Sequence, residues 1–206
     1  RSFAVGPAGR LLSRARLELG EKLESEHEFR ALALDPQQRR AFVALAGTLR
    51  VLDLMPDGQL RQRGLMALSR TVDCGGLYWT GRWLLATSGC MGDSEVLLID
   101  VSDPDRPRLG AALKLRHAIA RLAQAGDFLV ASAGQAGGLS ILRLDSSAAL
   151  TEVGRIEDPP VITGIVETAS GRFAMAPGQG IVRLAKVDDA DWARSELVYP
   201  LSGVTD

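Results

Sequence analysis

Hydrophobic residues occur along this chain in short runs that turn-forming residues separate. The runs are rich in Val, Ile, Leu, Phe and Trp, and each is about five to eight residues long, the usual length of a β-strand. Residue pairs that favour turns stand between the first and second runs of successive groups: Asp35-Pro36, Thr80-Gly81, Gly126-Asp127 and Ser170-Gly171. Because the runs are too short and too often interrupted for helices, the pattern predicts an all-β fold.

The runs recur with a long period. The apolar residue at the centre of one recurring strand is found at Phe3, Leu52, Ile99, Leu142 and Ala185, and subtraction gives intervals of 49, 47, 43 and 43 residues. A second mark follows each centre by about 12 residues, at Ala15, Gly64, Gly110, Gly154 and Leu197. Four strands in a unit of about 40 to 50 residues are typical of a β-propeller blade.

The third unit shows the expected division into strands. Its predicted strands are residues 72–79, 83–88, 95–101 and 108–115. Near the start of the chain, residues 10–23 also fit an amphipathic helix. A strand and a connector are favoured there, because residues 11–17 align with residues 150–156.

The repeat divides the whole chain, 1–206, into one partial and four complete blades. Residues 1–20 supply the two outer strands of a blade, and complete four-stranded antiparallel blades are predicted at 24–68, 69–115, 116–158 and 159–201. Closed propellers usually have four to eight blades, each packed on two neighbours. We therefore expect part of a ring of six to eight blades. The alternative is a five-bladed ring whose missing inner strands come from another segment.

The ends of the sequence carry a related expectation. The chain begins at Arg1 without Met or an apolar signal region, which suggests a fragment or a mature product. Residues 202–206 resemble the entry to a further blade.

One stretch carries a family resemblance. Residues 96–110 read Val-Leu-Leu-Ile-Asp-Val-Ser-Asp-Pro-Asp-Arg-Pro-Arg-Leu-Gly. An apolar strand ending in Asp, a Ser-Asp-Pro turn, a second Pro and a glycine-bearing outer strand resemble the LVIVD repeat of bacterial β-propellers. The match is weaker at residues 49–54 and 140–145, where Arg143 stands in place of the Asp. The resemblance implies a fold and leaves the chemistry open, since propellers serve many functions.

Charge and hydropathy exclude some classes of partner. The chain has 24 Lys+Arg against 25 Asp+Glu, a formal net charge of −1, so nothing in the overall charge drives it to nucleic acid. The arginines near the outer strands are expected to form a solvated face: Arg39, Arg40, Arg61, Arg63, Arg70 and Arg82. No uncharged apolar run approaches about 18 residues, so no membrane insertion is expected.

A metal site is the first candidate for chemistry. His27 and His117 each precede the innermost strand of a blade, and Asp73 lies in the blade between them. If all three face the mouth of the central channel, they suit a divalent metal. Solvated loop histidines explain the same pattern, and that explanation is favoured. No cofactor and no catalytic residue is predicted.

The two cysteines form a second candidate. Cys74 and Cys90 lie near the start of the first strand and the end of the second strand of one blade, so a hairpin turning at Thr80-Gly81 brings them to the same rim. A disulfide is possible there, and a reduced buried pair is an equal alternative. A disulfide, together with the family resemblance, favours a periplasmic or extracellular location.

Two further patterns have structural explanations. The glycine-rich residues 132–138 precede no Lys-Ser/Thr pair and no helix, so they do not form a phosphate-binding loop. Trp79 and Trp83 flank one turn, where cross-strand aromatic packing is favoured over carbohydrate stacking.

Two classes of function remain. The predicted inner strands are largely apolar, and no acid, base or nucleophile converges on them. We therefore expect a non-catalytic propeller scaffold that binds a protein partner or belongs to a larger assembly. The alternative is a propeller enzyme or cofactor-bearing domain, a hydrolase or oxidoreductase, with a metal or ligand site at the central channel.

Overall fold

The computed structural model of the chain describes residues 2–5, 11–15, 30–45, 47–68, 72, 76–89, 92–125, 128–132, 138–156, 164–168, 171–176, 180–186 and 192–200. These residues form strands that belong to five separate antiparallel sheets. We number the sheets as blades one to five in chain order. Blade one contains β1 (Ser2–Val5) and β2 (Leu11–Ala15).

The other four blades have four strands each. Blade two contains β3 (Arg30–Asp35), β4 (Arg40–Leu45), β5 (Thr48–Leu54) and β6 (Leu60–Ala67). Blade three contains β7 (Leu77–Trp79), β8 (Trp83–Ser88), β9 (Ser94–Asp100) and β10 (Arg108–Leu115). Blade four contains β11 (Arg121–Ala125), β12 (Phe128–Ser132), β13 (Leu139–Leu144) and β14 (Leu150–Ile156). Blade five contains β15 (Gly164–Thr168), β16 (Gly171–Ala176), β17 (Gly180–Lys186) and β18 (Trp192–Pro200).

Each complete blade pairs its strands in chain order, so the predicted fold class of four-stranded antiparallel propeller blades is confirmed. In blade three, β8 and β10 have the predicted bounds, β9 begins one residue earlier and β7 is shorter than residues 72–79. Residues 11–15 form a strand and not a helix. In the described part of the chain, no helix is long and apolar enough to cross a membrane.

The middle strands of a blade are buried on both faces. In β8 every residue after Trp83 is buried, and β9 is almost continuously buried, whereas outermost β10 is mainly exposed. Strands covered on both faces lack an alternating pattern and appear as continuous apolar runs. The core lies between blades, in one cluster shared by blades two and three and another shared by blades three and four.

The glycine mark of the repeat lies at a β-bulge in the outermost strand. The register shifts between Val51 and Leu52 opposite β6, between Leu109 and Ala111 in β10, and between Ile141 and Leu142 opposite β14. A bulge adds one residue to a strand and bends it. The repeated glycine therefore marks a bend at the same level of three successive blades.

Candidate functional site

Buried polar side chains are concentrated at the end of the blades from which the chain passes to the next blade. We call this the linker end. Second strands finish there and third strands begin there. Seven of the eight buried polar residues of the described part lie at this end: Arg50, Thr87, Ser88, Ser94, His117, Ser132 and Ser140. Because buried polar groups require hydrogen-bond partners, this end is the first place to search for a site.

His117 lies at the centre of this group. It belongs to the segment that links β10 to β11, and only 6% of it is exposed. The hydroxyl of Ser94, at the start of β9, donates a hydrogen bond of 2.6 Å to the backbone oxygen of His117. Blade three therefore holds the linker in place, and the imidazole ring contacts blade four.

The ring of His117 is part of a chain of hydrogen bonds. A terminal guanidinium nitrogen of Arg155 lies 3.0 Å from Nδ1, and Oγ of Ser140 lies 2.7 Å from Nε2. The Ser140 hydroxyl donates in turn to Oε1 of Glu152, at 2.5 Å. Two buried neutral residues thus connect two exposed charged residues.

The direction of this chain follows from the chemistry of its ends. A guanidinium can only donate, so Nδ1 of His117 accepts, and a neutral ring then carries its proton on Nε2. Nε2 donates to Ser140, which donates to Glu152. Each hydrogen points from Arg155 towards Glu152, and the histidine is held in a single tautomer.

The surroundings also favour the neutral ring. Burial lowers the pKa of His117, and the positive charge of Arg155 lowers it further. The carboxylates of Glu152 and Asp93 oppose that shift. Because burial is the largest of these effects, the ring is neutral near pH 7.

A β-bulge places Glu152 and Arg155 on the same face of β14. Ser140 pairs with Arg155 and Leu142 pairs with Glu152, so the bulge leaves Val153 without an opposing residue. Ser140 and Leu142 are two residues apart and share a face of β13. Their partners therefore share a face too, although they are three residues apart in sequence.

The same positions carry a different pair in blade two. Val51 and Ile141 both lie opposite the glycine beside the bulge, so the preceding residues, Arg50 and Ser140, are equivalent. Arg50 donates from a terminal nitrogen to Oε1 of Gln62 at 2.8 Å, as Ser140 donates to Glu152. A hydrogen bond between the third and fourth strands thus recurs in both blades, and in blade four it is extended to His117.

The contact between Ser140 and His117 is not that of a catalytic nucleophile and its base. A nucleophilic serine gives its proton to the histidine, whereas here Nε2 carries the proton and Ser140 is fully buried. The groups that can meet a substrate are the exposed ones, Glu152 and Arg155. A carboxylate that can take a proton and a guanidinium that can bind an anion are held on one surface.

The predicted metal site is only partly described by the structure. His27 and Asp73 lie outside the described residues, so the set of three stays a prediction. Both ring nitrogens of His117 are engaged with Ser140 and Arg155, between blades three and four. The described residues contain no group of three His, Cys, Asp or Glu suited to a metal ion. Cys74 and Cys90 also lie outside the described residues, so their pairing stays a prediction.

Two other sequence-based expectations concern aromatic and basic residues. Trp79 packs against Phe42 of blade two, with ring centroids 5.1 Å apart, and Arg82 lies over the ring of Trp83. Arg63 is paired with Asp53 and Asp105. Trp79 thus serves packing and Arg63 serves ion pairing within the protein, whereas Arg70 lies outside the described residues.

Sequence reasoning missed Ser140, Glu152 and Arg155. A signal for Ser140 exists, because it is the one polar residue among the four buried residues that begin β13. Glu152 and Arg155 stand in an outer strand where charged residues are ordinary. Their shared face depends on the bulge, whose sequence signal is the repeated glycine, here Gly154, beside it.

Solved structures of other proteins share the fold of this chain. No family model matches the chain, and no curated protein matches its sequence. The periplasmic gluconolactonase of Pseudomonas aeruginosa matches in structure with a TM-score of 0.69 at 14% identity, over 97% of this chain and 64% of that one. The chain therefore shares the β-propeller fold of that protein.

Two further solved structures agree. A proposed 6-phosphogluconolactonase from Bacteroides fragilis NCTC 9343 gives a TM-score of 0.67 at 15% identity, over 93% of this chain and 62% of that one. Another, from Bacteroides uniformis ATCC 8492, gives 0.69 at 14% identity, over 95% and 63%. The chain therefore spans less than two thirds of the length of these structures. The resemblance to the LVIVD repeat stays a prediction.

These neighbours correct one expectation. They are named as lactonases, which are hydrolases, so the expectation of a non-catalytic protein-binding scaffold is wrong and the enzyme alternative is favoured. The error has a physical source. The expectation rested on the largely apolar innermost strands. The candidate residues lie elsewhere, in a linker, a third strand and an outermost strand: His117, Ser140, Glu152 and Arg155.

Proposed function

We propose that this protein is a propeller hydrolase that opens the ring ester of a sugar-acid lactone. The observation that carries the proposal is the structural similarity to three lactonase propellers over 93–97% of the chain. The exposed carboxylate and guanidinium at the linker end supply groups of the kind that this reaction uses.

The reaction has two chemical requirements. Water adds to the carbonyl carbon of the lactone, and the ring C–O bond breaks. One water proton finally resides on the former ring oxygen, and the other is released to solvent when the new carboxylic acid ionises. A base that accepts a proton from water and a donor that stabilises the developing oxyanion both lower the barrier. The product is a hydroxy acid with a new carboxylate.

Glu152 is our candidate for the base. It is exposed, so water and substrate can reach it. The hydrogen bond from Ser140 holds its Oε1 in one position, and the Nε2 proton of His117 fixes the direction of that hydroxyl. The buried residues thus orient a carboxylate without touching the substrate.

An assay of acid release tests the activity. The purified protein is incubated with glucono-1,5-lactone and with 6-phosphogluconolactone at constant pH, and the rate of titrant addition is compared with spontaneous hydrolysis. We expect acceleration on at least one of these lactones and little on δ-valerolactone, which has no hydroxyl groups. A folded protein that accelerates neither sugar lactone contradicts the proposed function.

The variant Glu152→Gln tests the role of the base. Loss of a general base typically lowers the rate about 100-fold or more, and we expect that loss in kcat. The matched control is Asp57→Asn, which makes the same carboxylate-to-amide change in an exposed turn where Asp57 Oδ1 accepts a hydrogen bond from the Gln59 amide. Equal activity of both variants would assign the base elsewhere.

We also propose an extracytoplasmic location. One of the similar propellers is named as a periplasmic gluconolactonase, and an oxidising compartment permits the predicted Cys74–Cys90 disulfide. Thiol titration in denaturant tests the disulfide. Two free thiols per chain without reductant would contradict it.

A further inference from the structure

One face of blade two is only partly covered. Leu32 and Leu34 of the innermost strand, β3, have exposed fractions of 60% and 59%. Ala41 and Val43 lie beside them in β4 and are half-buried, whereas Leu52, beside Ala41 in β5, is buried. Exposure on this face therefore falls from the innermost strand to the third strand.

The register of the strands identifies the corresponding positions in the other blades. Residues that pair across a sheet share a face, and the β-bulge between the third and fourth strands aligns one blade with the next. Each blade then has a row of three paired residues at one level. These rows are Leu34, Ala41 and Leu52 in blade two, Trp79, Leu84 and Ile99 in blade three, and Gln124, Leu129 and Leu142 in blade four. The rows allow burial to be compared position by position.

The rows of blades three and four are packed against the preceding blade. Leu84 and Ile99 are fully buried in the cluster shared with blade two. Leu129 and Leu142 are buried in the cluster shared with blade three. At its inner strands, the same face of blade two thus lacks a cover that both following blades have.

Leu32 shows the difference at a single position. Leu32, Leu77 of blade three and Leu122 of blade four each stand two residues before the row in their innermost strand. Leu77 packs against the cluster between blades two and three, and Leu122, only 8% exposed, lies in the cluster between blades three and four. A leucine at this position therefore packs on the preceding blade wherever the inner strands of that blade are described.

The strands of blade one leave this inner part of blade two without a neighbour. The register of β1 with β2 shifts between Ser2 and Phe3, as the register of β5 with β6 shifts between Val51 and Leu52. In both pairs the extra residue lies in the later strand. By this criterion β1 and β2 occupy the places of a third and a fourth strand. Among the described residues, β1 pairs with β2 alone, so its inner edge carries no described strand.

We propose that the face of blade two around Leu32 and Leu34 is the docking surface for a β-hairpin of the same polypeptide, which forms the first and second strands of blade one. We call this segment the inner hairpin. Every complete blade orders its strands along the chain from innermost to outermost, so the inner hairpin directly precedes β1. It pairs with the inner edge of β1 and covers the two leucines.

The next boundary indicates the chemistry of the inner hairpin. Trp79, the counterpart of Leu34, packs on Phe42 in the second strand of the preceding blade. Phe42 pairs with Val51, and the bulges make Ser2 the counterpart of Val51. We therefore expect a large apolar residue opposite Ser2 in the inner hairpin, on an apolar face that contacts Leu34.

Two further observations support this occupant. The three similar propellers are longer than this chain, which spans 62–64% of them, so a propeller of this fold has room for the inner hairpin. A sheet of two strands is marginal on its own, and two inner strands give blade one the same four strands as its neighbours. The inference concerns the packing of the ring and is independent of the proposed hydrolysis.

Labelling of single cysteines tests whether the surface is covered. Leu34→Cys and Leu65→Cys are made in the natural polypeptide with all the residues that precede β1. Leu65 of outermost β6 is the matched control, because it is 53% exposed and Leu34 is 59% exposed. The folded protein is treated with iodoacetamide, and peptide mass spectrometry gives the rate at each position separately from Cys74 and Cys90.

We expect Leu34→Cys to react on the order of tenfold or more slowly than Leu65→Cys, because a residue under a packed strand reacts only when that strand opens. The difference should not depend on protein concentration. Equal rates would overturn the proposal. A rate at Leu34→Cys that rises on dilution would identify a second copy of the chain as the occupant, which also overturns it.

Amide hydrogen exchange of the unaltered polypeptide identifies the covering segment and needs no variant. A segment about as long as residues 30–45, directly before β1, should exchange as slowly as β3 and β4 do, because its amides are bonded within a sheet. Fast exchange in that segment, together with slow labelling of Leu34→Cys, would mean that another part of the polypeptide covers the surface. That result, or a natural polypeptide without such a segment, overturns the assignment to blade one.

Discussion

The boundary between blades two and three differs from the boundary between blades three and four. Both contain an apolar cluster built from the buried strands. The first boundary also contains a group of charged side chains at its exposed rim. Arg63 donates two hydrogen bonds of 2.6 and 2.7 Å to Asp105 and one of 2.9 Å to Asp53. The second boundary is completed at the linker end by the buried neutral residues His117 and Ser140.

This difference teaches where polar contacts between blades matter. Exposed ion pairs contribute little to stability, since water and salt solvate the separated charges almost as well. A buried hydrogen-bonded group has no such alternative when its partner is lost. We therefore expect the second boundary to be sensitive to polar substitutions and the first to depend on its packing.

The largest effect is expected from Gly64→Ala, at the packing of the first boundary. A Cβ at Gly64 would collide with the backbone oxygen of Pro104 and lie 2.8 Å from Cδ of Pro107, both in the turn of blade three. Two prolines stiffen that turn, so it cannot yield easily. We expect a loss of about 3 kcal/mol in the free energy of unfolding, measured by urea denaturation.

Gly110→Ala is the matched control. Gly110 lies in the corresponding bulge of blade three, where it is the residue left unpaired between Leu109 and Ala111. A Cβ there would meet the nearest atom, the backbone oxygen of Leu98, at 3.4 Å. We expect a loss of less than about 1 kcal/mol. Equal losses for the two variants would mean that contact with the next blade does not require the glycine.

The second largest effect is expected from Ser140→Ala, at the second boundary. The substitution leaves the Nε2 proton of His117 without an acceptor and removes the donor to Glu152. An unsatisfied buried group costs about 1 to 3 kcal/mol, and we expect about 2 kcal/mol by urea denaturation. Ser132→Ala is the control, because its buried hydroxyl has no partner among the described residues. If Ser132→Ala lowers the free energy of unfolding as much as Ser140→Ala does, the decrease is not due to lost hydrogen bonds.

A smaller effect is expected from pH. The pKa of His117 is lowered from its ordinary value of 6.5 by burial and Arg155, so below pH 6.5 the unfolded chain binds more protons than the folded one. Stability is complete above pH 6.5 and falls as the pH drops towards the lowered pKa, by at most about 1.4 kcal/mol per pH unit for one proton.

Denaturation at several pH values between about 5 and 7.5 checks this slope. His117→Gln should remove its share of the slope. The carboxyls of Asp100 and Asp145 do not interfere, since their lowered pKa values place their effect below 3.8. An identical slope in His117→Gln would contradict the lowered pKa.

The same two boundaries show how far sequence reasoning reaches. The propeller fold was predictable because strands buried on both faces leave short, continuous apolar runs at a regular period, such as those of β8 and β9. Gly64 was recognised as part of the repeat. The reason that this position requires glycine lies in the next blade, in the prolines 40 and 43 residues later. The candidate site was harder to predict from the sequence than the fold. In a regular strand, residues three apart, such as Glu152 and Arg155, face opposite sides of the sheet. The bulge at Val153 brings these two residues to the same face.

The smallest effect is expected from Arg63→Gln, at the ionic rim of the first boundary. The substitution removes the pairing with Asp105, whose carboxylate remains in water, while Asp53 keeps its 3.2 Å contact with Arg40. We expect a small decrease of the melting temperature at low ionic strength. In about 1 M NaCl, where charges are screened within about 3 Å, the decrease should vanish. Arg121→Gln, at another exposed arginine, serves as the control for charge alone. A decrease for Arg63→Gln that exceeds that of Ser140→Ala, or that persists at high salt, would mean that the exposed ions hold the blades together after all.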